Sequence, residues 1–219
     1  MSEAGEATRA RIEAAALRLF VEQGVDATGI RDIAAAVGLS DGALYRHYPS
    51  KDELVWRLFR EGFEGLAEEL EHLAATERRA SRRIEAMVRG FCALYDADSL
   101  LFRFLLLVQH GQLQRVKPGM ANPVESVRAV IARGMKEGEI ASADPDLVTA
   151  MVMGLILQTA TFKVYGRIAR PMTALAPALA EACRRILGPS GPKKTGPKKA
   201  GRSREDRSPR QIRTMRGSP

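Results

Sequence analysis

Apolar side chains recur every three to four residues along most of the chain up to position 187, and no run alternates with the period of a strand. This spacing puts apolar groups on one face of a helix. We therefore predict an all-α protein of about nine helices. The helices group into an N-terminal three-helix domain and a C-terminal helical bundle.

The stretch 29–48 predicts two short helices joined by a tight turn. Gly38 can close the first helix in a left-handed conformation, and Ser40 can cap the second helix through its hydroxyl oxygen. Pro49 ends the second helix, and the capping box at 50–53 starts a longer third helix. Two helices joined in this way form a helix-turn-helix, whose second helix enters the DNA major groove.

The second helix of this motif has two different faces. Leu44 and Tyr48 point to one side at helical spacing, and Gly42, Tyr45 and Arg46 point to the other. We expect the first pair to pack inward and the other face to meet DNA. Short helix pairs with a glycine turn also occur in ordinary bundles, where such an arginine is solvated. From the turn alone, DNA binding and plain packing are about equally well supported.

Residues 8–59 resemble the DNA-binding domain of TetR-type transcriptional regulators. The matching positions are Ile12, Ala15, Ala16, Leu19, Phe20, Gly24, Ile33, Ala34, Gly38, Leu39, Ser40, the run 44–48, Lys51, Glu53 and Leu54. The resemblance implies DNA-facing roles for Arg31, Ser40, Asp41, Gly42, Ala43, Tyr45, Arg46, His47 and Lys51. Arg46 suits guanine, whereas Tyr45, His47 and Lys51 suit phosphate. Gly29 departs from the family, which often carries Ser or Thr there, and we expect Thr28 to take over that cap.

The family resemblance implies the first two parts of the chain, and composition predicts the third. We predict a helix-turn-helix domain at 6–66, an effector-binding and dimerisation domain at 67–187, and a disordered basic tail at 188–219. The tail has ten Lys and Arg against two acidic residues, a net charge of +8 that equals the formal charge of the whole chain. DNA affinity must therefore come from the local placement of basic groups in the motif.

The last two helices have features of an interface. Asp144 and Pro145 start the first of them, and Pro171 starts the second. Gly154 and Ala160 are small enough to admit a partner helix. The family resemblance implies that these helices form a homodimer, which would bind a palindromic operator in double-stranded DNA. The apolar run 151–157 is too short to span a bilayer, and the N-terminus shows no signal peptide. We expect a cytoplasmic protein with no membrane partner.

We find no catalytic arrangement. The three histidines lack metal-ligand spacing, and no phosphate loop or nucleophile elbow is present. We predict no metal, no cofactor and no enzymatic activity, with Cys92 and Cys183 as buried, reduced thiols. The resemblance implies a small apolar or amphipathic effector, and the candidate pocket residues are Phe91, Phe102, Gln109, His110, Gln158, Thr161 and Phe162. Apolar groups at helical spacing line cores more often than pockets, so core packing is the alternative.

The sequence therefore predicts a sequence-specific DNA-binding transcriptional regulator, an effector-released repressor. A first alternative is an effector-independent helix-turn-helix DNA-binding protein. A second is a small helical enzyme acting on a lipophilic substrate in the same cavity, which the lack of a nucleophile–base pair disfavours.

Overall fold

The computed structural model describes residues 3–188, and within that range it has nine α-helices and no strand. This confirms the all-α prediction. The predicted basic tail lies outside the described residues from position 189 onward. The helices are α1 Glu3–Gln23, α2 Ile30–Ala36, α3 Asp41–His47, α4 Lys51–Ala75, α5 Ala80–Ala97, α6 Ser99–Gln112, α7 Pro123–Lys136, α8 Pro145–Val164 and α9 Met172–Leu187, with a 3-10 turn at Leu113–Arg115 between α6 and α7.

The ends of α2, α3 and α4 follow the predicted capping chemistry. Gly38 has φ +68°, and the Leu39 N–H donates to the Ala34 carbonyl at 2.9 Å, which closes α2. The Ser40 hydroxyl accepts from the Ala43 N–H, and Ser50 likewise caps α4. Gly38 thus ends α2, Ser40 begins α3 and Ser50 begins α4.

The predicted cap at Thr28 was wrong. The Thr28 side chain is buried, and its hydroxyl donates to the carbonyls of Leu19 and Gly24 at the end of α1. Asp32 caps the start of α2 instead, because the Asp32 carboxylate accepts from the Gly29 N–H at 2.7 Å. Thr28 thus ties the loop to α1, and an acidic side chain stabilises the positive end of α2.

Two groups of buried side chains share α4 and α6. The first packs α1, α2 and α3 against the start of α4 and includes Phe59. The second packs α5, α7, α8 and α9 against the end of α4 and includes Leu70. Phe104 of α6 belongs to the first group, whereas Phe102 belongs to the second. α6 is apolar nearly all round because it is buried against both groups.

α8 is long and apolar enough to cross a membrane by length and composition. A core helix of a folded protein also meets this criterion, and α8 contacts α6, α7 and α9. Several of its large apolar side chains are nevertheless exposed, including Leu147, Met151 and Phe162. These side chains form an apolar surface that the described part of the chain leaves uncovered.

Candidate DNA-binding surface and effector cavity

The inward face of α3 is anchored as predicted. Leu44 is fully buried, and Tyr48 is 3% exposed. The Tyr48 hydroxyl donates to the Glu13 carboxylate of α1, which also accepts from Arg57 Nε at 3.0 Å. Burial and the hydrogen bond to Glu13 raise the pKa of Tyr48 above its ordinary value, so the phenol stays protonated and remains a donor. α3 is therefore held against α1 and α4 by both packing and hydrogen bonds.

The opposite face of α3 is open to solvent. Gly42 and Arg46 are exposed, and Tyr45 is 51% exposed although its ring is large and apolar. Ala43 and His47 are half-buried at the edges of this face. The predicted direction of these side chains is confirmed, whereas their contacts with DNA remain a prediction.

Two of the predicted DNA-facing residues contact each other. Arg31 of α2 and Asp41 of α3 form an ion pair at 3.2 Å, and the Arg31 side chain is 90% exposed. Exposed pairs of this kind contribute about 0–1 kcal/mol. Phosphate or a base can therefore displace either partner at little cost.

Lys51 differs from its predicted role as a phosphate contact. Its ammonium group donates to the carbonyls of Val25, Asp26 and Thr28, at 2.8, 3.4 and 3.0 Å. An ammonium group has three N–H donors, so no donor remains for phosphate in this arrangement. Lys51 instead ties the start of α4 to the loop before α2, and Ser40 is likewise engaged as the cap of α3.

An apolar cavity of about 90 Å³ lies where α4, α5, α6, α7 and α8 meet. Phe91, Phe102 and Gln109 line it, as predicted, and the two phenyl rings meet edge to face with centroids 5.1 Å apart. Its other walls include Leu113, Val124 and Met153, which the sequence did not distinguish from core residues. Among residues 3–188, Gln109 is the only polar side chain that lines the cavity.

The other predicted pocket residues lie elsewhere, so the prediction of one pocket lined by all seven needs correction. His110, Gln158 and Thr161 line an open groove of about 630 Å³ between α6 and α8, and Phe162 lines a separate shallow groove with Met151 and Leu155. Since successive helical residues turn by about 100°, the α8 residues that face the cavity are Val152, Met153, Ile156 and Leu157.

The cavity and the α6–α8 groove share a wall. Leu106, Gln109 and Leu157 line both of them. The groove also contains Arg103 and His110, whereas no charged side chain from the described part of the chain lines the cavity. An apolar chamber therefore lies beside a polar, solvent-open groove. Within residues 3–188 no group of three or more His, Cys, Asp or Glu side chains is placed to hold a metal ion.

Residues 12–58 match the family model described as bacterial regulatory proteins, tetR family. This range contains α2, the turn, α3 and the start of α4. The helix-turn-helix region of the chain is therefore of the TetR type. Among curated proteins, the chain is similar to the transcriptional repressor KstR2 of Rhodococcus jostii strain RHA1, to which it is 34% identical over 83 residues. That alignment covers 38% of this chain and 41% of KstR2, so it spans well under half of the relative's length.

Solved structures share the TetR fold over nearly their whole length. A tetR-family regulatory protein from Rhodococcus RHA1 superposes with a TM-score of 0.70 at 21% identity, covering 86% of this chain and 99% of that one. The regulator FadR from Bacillus subtilis, in complex with stearoyl-CoA, superposes with a TM-score of 0.66 at 20% identity, covering 82% and 97%. These similarities extend the TetR architecture beyond the helix-turn-helix to the C-terminal helices.

Proposed function

We propose that the protein is a sequence-specific DNA-binding transcriptional regulator of the repressor type, active in the cytoplasm, whose DNA binding is released by an effector. The observation that supports DNA binding most directly is α3, which is locked by Leu44 and Tyr48 and exposes Tyr45 and Arg46. A helix held in this way offers a rigid polar face to the major groove. The curated relative KstR2 of Rhodococcus jostii is a transcriptional repressor, and this function requires no catalytic residue.

The first test separates recognition from folding. The operator is first obtained by selecting bound sequences from random DNA. Arg46→Ala should then weaken operator binding by about 1–3 kcal/mol with no loss of thermal stability, because it removes a base contact from an exposed position. Leu44→Ala should lower stability by about 2–5 kcal/mol because the side chain is fully buried.

Arg133→Ala is the matched control for Arg46, since Arg133 is an exposed arginine of α7. It should change neither operator affinity nor thermal stability appreciably. If Arg46→Ala bound the operator with wild-type affinity, the assignment of α3 as the recognition helix would be wrong. A selection that returns no enriched sequence would contradict sequence-specific binding as a whole.

We propose that the exposed apolar surface of α8 forms the homodimer contact. Met151, Leu155 and Phe162 border a shallow groove that Ile168 and Ile186 complete. An apolar surface of this kind is more stable when a second copy covers it. A dimer would present two α3 helices to half-sites about 34–36 Å apart, or a multiple of that distance.

Leu155→Glu tests this interface, because it places a charge in the contact. We expect monomers in sedimentation velocity and weak binding to a palindromic operator. Arg184→Glu, on the exposed side of α9, serves as a charge-changing control. A dimer of unchanged affinity in Leu155→Glu would place the interface on another surface.

The effector that best suits the C-terminal domain is amphipathic. Its apolar part would occupy the cavity, and its polar part would lie in the groove beside Arg103 and His110. Ligand sites commonly measure about 300–1,000 Å³, so the 90 Å³ cavity must open toward the groove to admit such a molecule. The complex of FadR with stearoyl-CoA gives an example of such an effector in a protein of the same fold.

The test uses a series of acyl-CoA thioesters of increasing chain length and measures release of operator in a gel shift. We expect release to depend on chain length and to weaken in Arg103→Gln, which removes a cation from the groove. Val152→Trp should reduce release by filling the cavity, since Val152 is one of its walls. If no thioester and no free fatty acid releases the operator, the effector-independent alternative becomes the better description.

A further inference from the structure

Arg115 connects the wall of the cavity to the beginning of α4. One terminal nitrogen of its guanidinium lies 2.8 Å from Asp52 Oδ2, and the other lies 2.9 Å from Glu53 Oε1. The same guanidinium lies over the ring of Trp56, with its carbon atom 4.6 Å from the ring centroid. Three partners in the first two turns of α4 hold one side chain that lies about 60 residues later in the chain.

The geometry of these contacts makes them more than an isolated surface pair. Single exposed ion pairs contribute little because two mobile side chains must be ordered together. Here one planar guanidinium is ordered once and satisfies two carboxylates and an aromatic face. The Arg115 side chain is only 31% exposed, although both carboxylates are more open to solvent. The contact therefore defines the distance between the 3-10 turn and the first turn of α4.

The two ends of this connection lie at the two proposed sites. Asp52 and Glu53 begin α4 a few residues after the end of α3, so their position is linked to that of the recognition helix. Leu113, two residues before Arg115, lines the cavity. The 3-10 turn between them is short and closed by the hydrogen bond from the Val116 N–H to the Leu113 carbonyl. Leu113 and Arg115 are the two ends of this single turn, which rises about 2 Å per residue, so we expect displacement of Leu113 to be passed on to Arg115.

Arg115 also changes the charge next to the proposed DNA surface. Asp52 and Glu53 are two carboxylates at the end of α4 that adjoins α3, and they would repel DNA phosphate if unpaired. Interactions between exposed charges extend over about 8–10 Å at physiological salt. Pairing with Arg115 lowers this repulsion. We therefore expect the loss of Arg115 to weaken operator binding.

We propose that Arg115 is a positioning residue that transmits the state of the cavity wall to the recognition helix through the start of α4. It does so by holding Asp52, Glu53 and Trp56 from the turn that carries Leu113. This inference rests on the proposed DNA binding and adds the route by which the C-terminal domain acts on it. No contact between Arg115 and DNA is required.

The first experiment measures operator affinity by fluorescence anisotropy for Arg115→Gln, Arg115→Lys and Arg128→Gln. Arg128 is a matched control because its side chain is 38% exposed and pairs with Asp146, between α7 and α8. We expect Arg115→Gln to bind about three- to tenfold more weakly, the range that ion pairs and a cation–π contact supply. Arg115→Lys should recover part of this loss, and Arg128→Gln should match wild type. Wild-type affinity in Arg115→Gln would overturn the proposal.

A second comparison separates position from charge. Combining Arg115→Gln with Asp52→Asn and Glu53→Gln removes the unpaired carboxylates as well as the guanidinium. If Arg115 positions α4, this combined variant still binds operator more weakly than wild type. Full recovery of affinity would show that Arg115 only neutralises charge, and the positioning role would be wrong.

The link to the cavity is tested by a double-mutant cycle with Leu113→Ala, which alters the wall at a partly exposed site. We expect the effects of Leu113→Ala and Arg115→Gln on operator affinity to be non-additive, because both act through the same turn. Additive effects would contradict the connection. Trp56 is the only tryptophan of the chain, so its emission reports the guanidinium contact without DNA. A shifted emission in Arg115→Gln, together with no operator binding by wild type, would refute the proposed function while leaving the contact established.

Discussion

Replacing Gly134 by alanine tests how closely α7 approaches the start of α5. A Cβ atom at this position would lie 2.5 Å from Ala80 Cβ and 2.7 Å from Ile140 Cδ1. Carbon atoms pack favourably at about 3.5–4.0 Å, so the helices must separate by about 1 Å. Ala80 has no side-chain rotation that could relieve the contact. The same displacement stretches the hydrogen bond of 2.6 Å that the Ala80 N–H donates to Glu139.

The expected cost follows from two opposing effects. Forcing an extra methyl group into a packed contact costs about 1–3 kcal/mol, whereas replacing glycine by alanine inside a helix gains about 0.5–1 kcal/mol. Gly65 of α4 is the matched control, because within residues 3–188 no atom outside its own stretch of helix lies within 4 Å of the Cβ that alanine would add there. Gly65→Ala should therefore be slightly more stable than wild type. The two variants should differ by about 1–3 kcal/mol, since the helix contribution is common to both.

Thermal unfolding followed by circular dichroism measures this difference, with all proteins at one concentration so that dimerisation contributes equally. For a chain of this size, 1 kcal/mol corresponds to about 2–4 °C in Tm, so Gly134→Ala should unfold about 2–12 °C below Gly65→Ala. Equal melting temperatures for the two variants would refute the close approach of α5 and α7 at this point.

Three further predictions concern acid stability, thiol reactivity and the tail. Burial alone would raise the pKa of Asp96, but hydrogen bonds from Thr173 and Met172 outweigh burial and lower that pKa. The ionised carboxylate therefore stabilises the fold above the pKa of an aspartate in the unfolded chain, about 3.9. This stabilisation is lost as the pH falls through the lower pKa of Asp96 in the folded protein. The excess stability of wild type over Asp96→Asn should therefore shrink on acidification from pH 5 in urea titrations, and a constant difference would contradict this. Burial raises the pKa of the Cys92 and Cys183 thiols to about 11, so iodoacetamide at neutral pH should label them only after unfolding. Deleting 190–219 should flatten the dependence of DNA affinity on salt, by about 0.9 in log–log slope for each phosphate that the tail neutralises, and identical slopes with and without it would exclude DNA as its partner.

The sequence alone determined the elements whose causes lie within one or two turns of helix. Gly38, Ser40 and Ser50 cap the short helices, because the groups that satisfy a helix end come from neighbouring residues. The same local periodicity placed Leu44 inside and Arg46 outside, and both directions hold in the structure. The family resemblance rests on this same local stretch.

The tertiary structure decided what depends on how helices cross. Lys51 donates to carbonyls 23–26 residues earlier, and Arg115 pairs with carboxylates 62–63 residues earlier, so no local pattern marks either contact. Thr161 and Val152 lie on one apolar helix, yet only Val152 reaches the cavity. A helix that is apolar nearly all round has no unique inward face until its neighbours are in place. The cavity, its polar groove and the connection through Arg115 therefore arise from the packing of α4, α6 and α8.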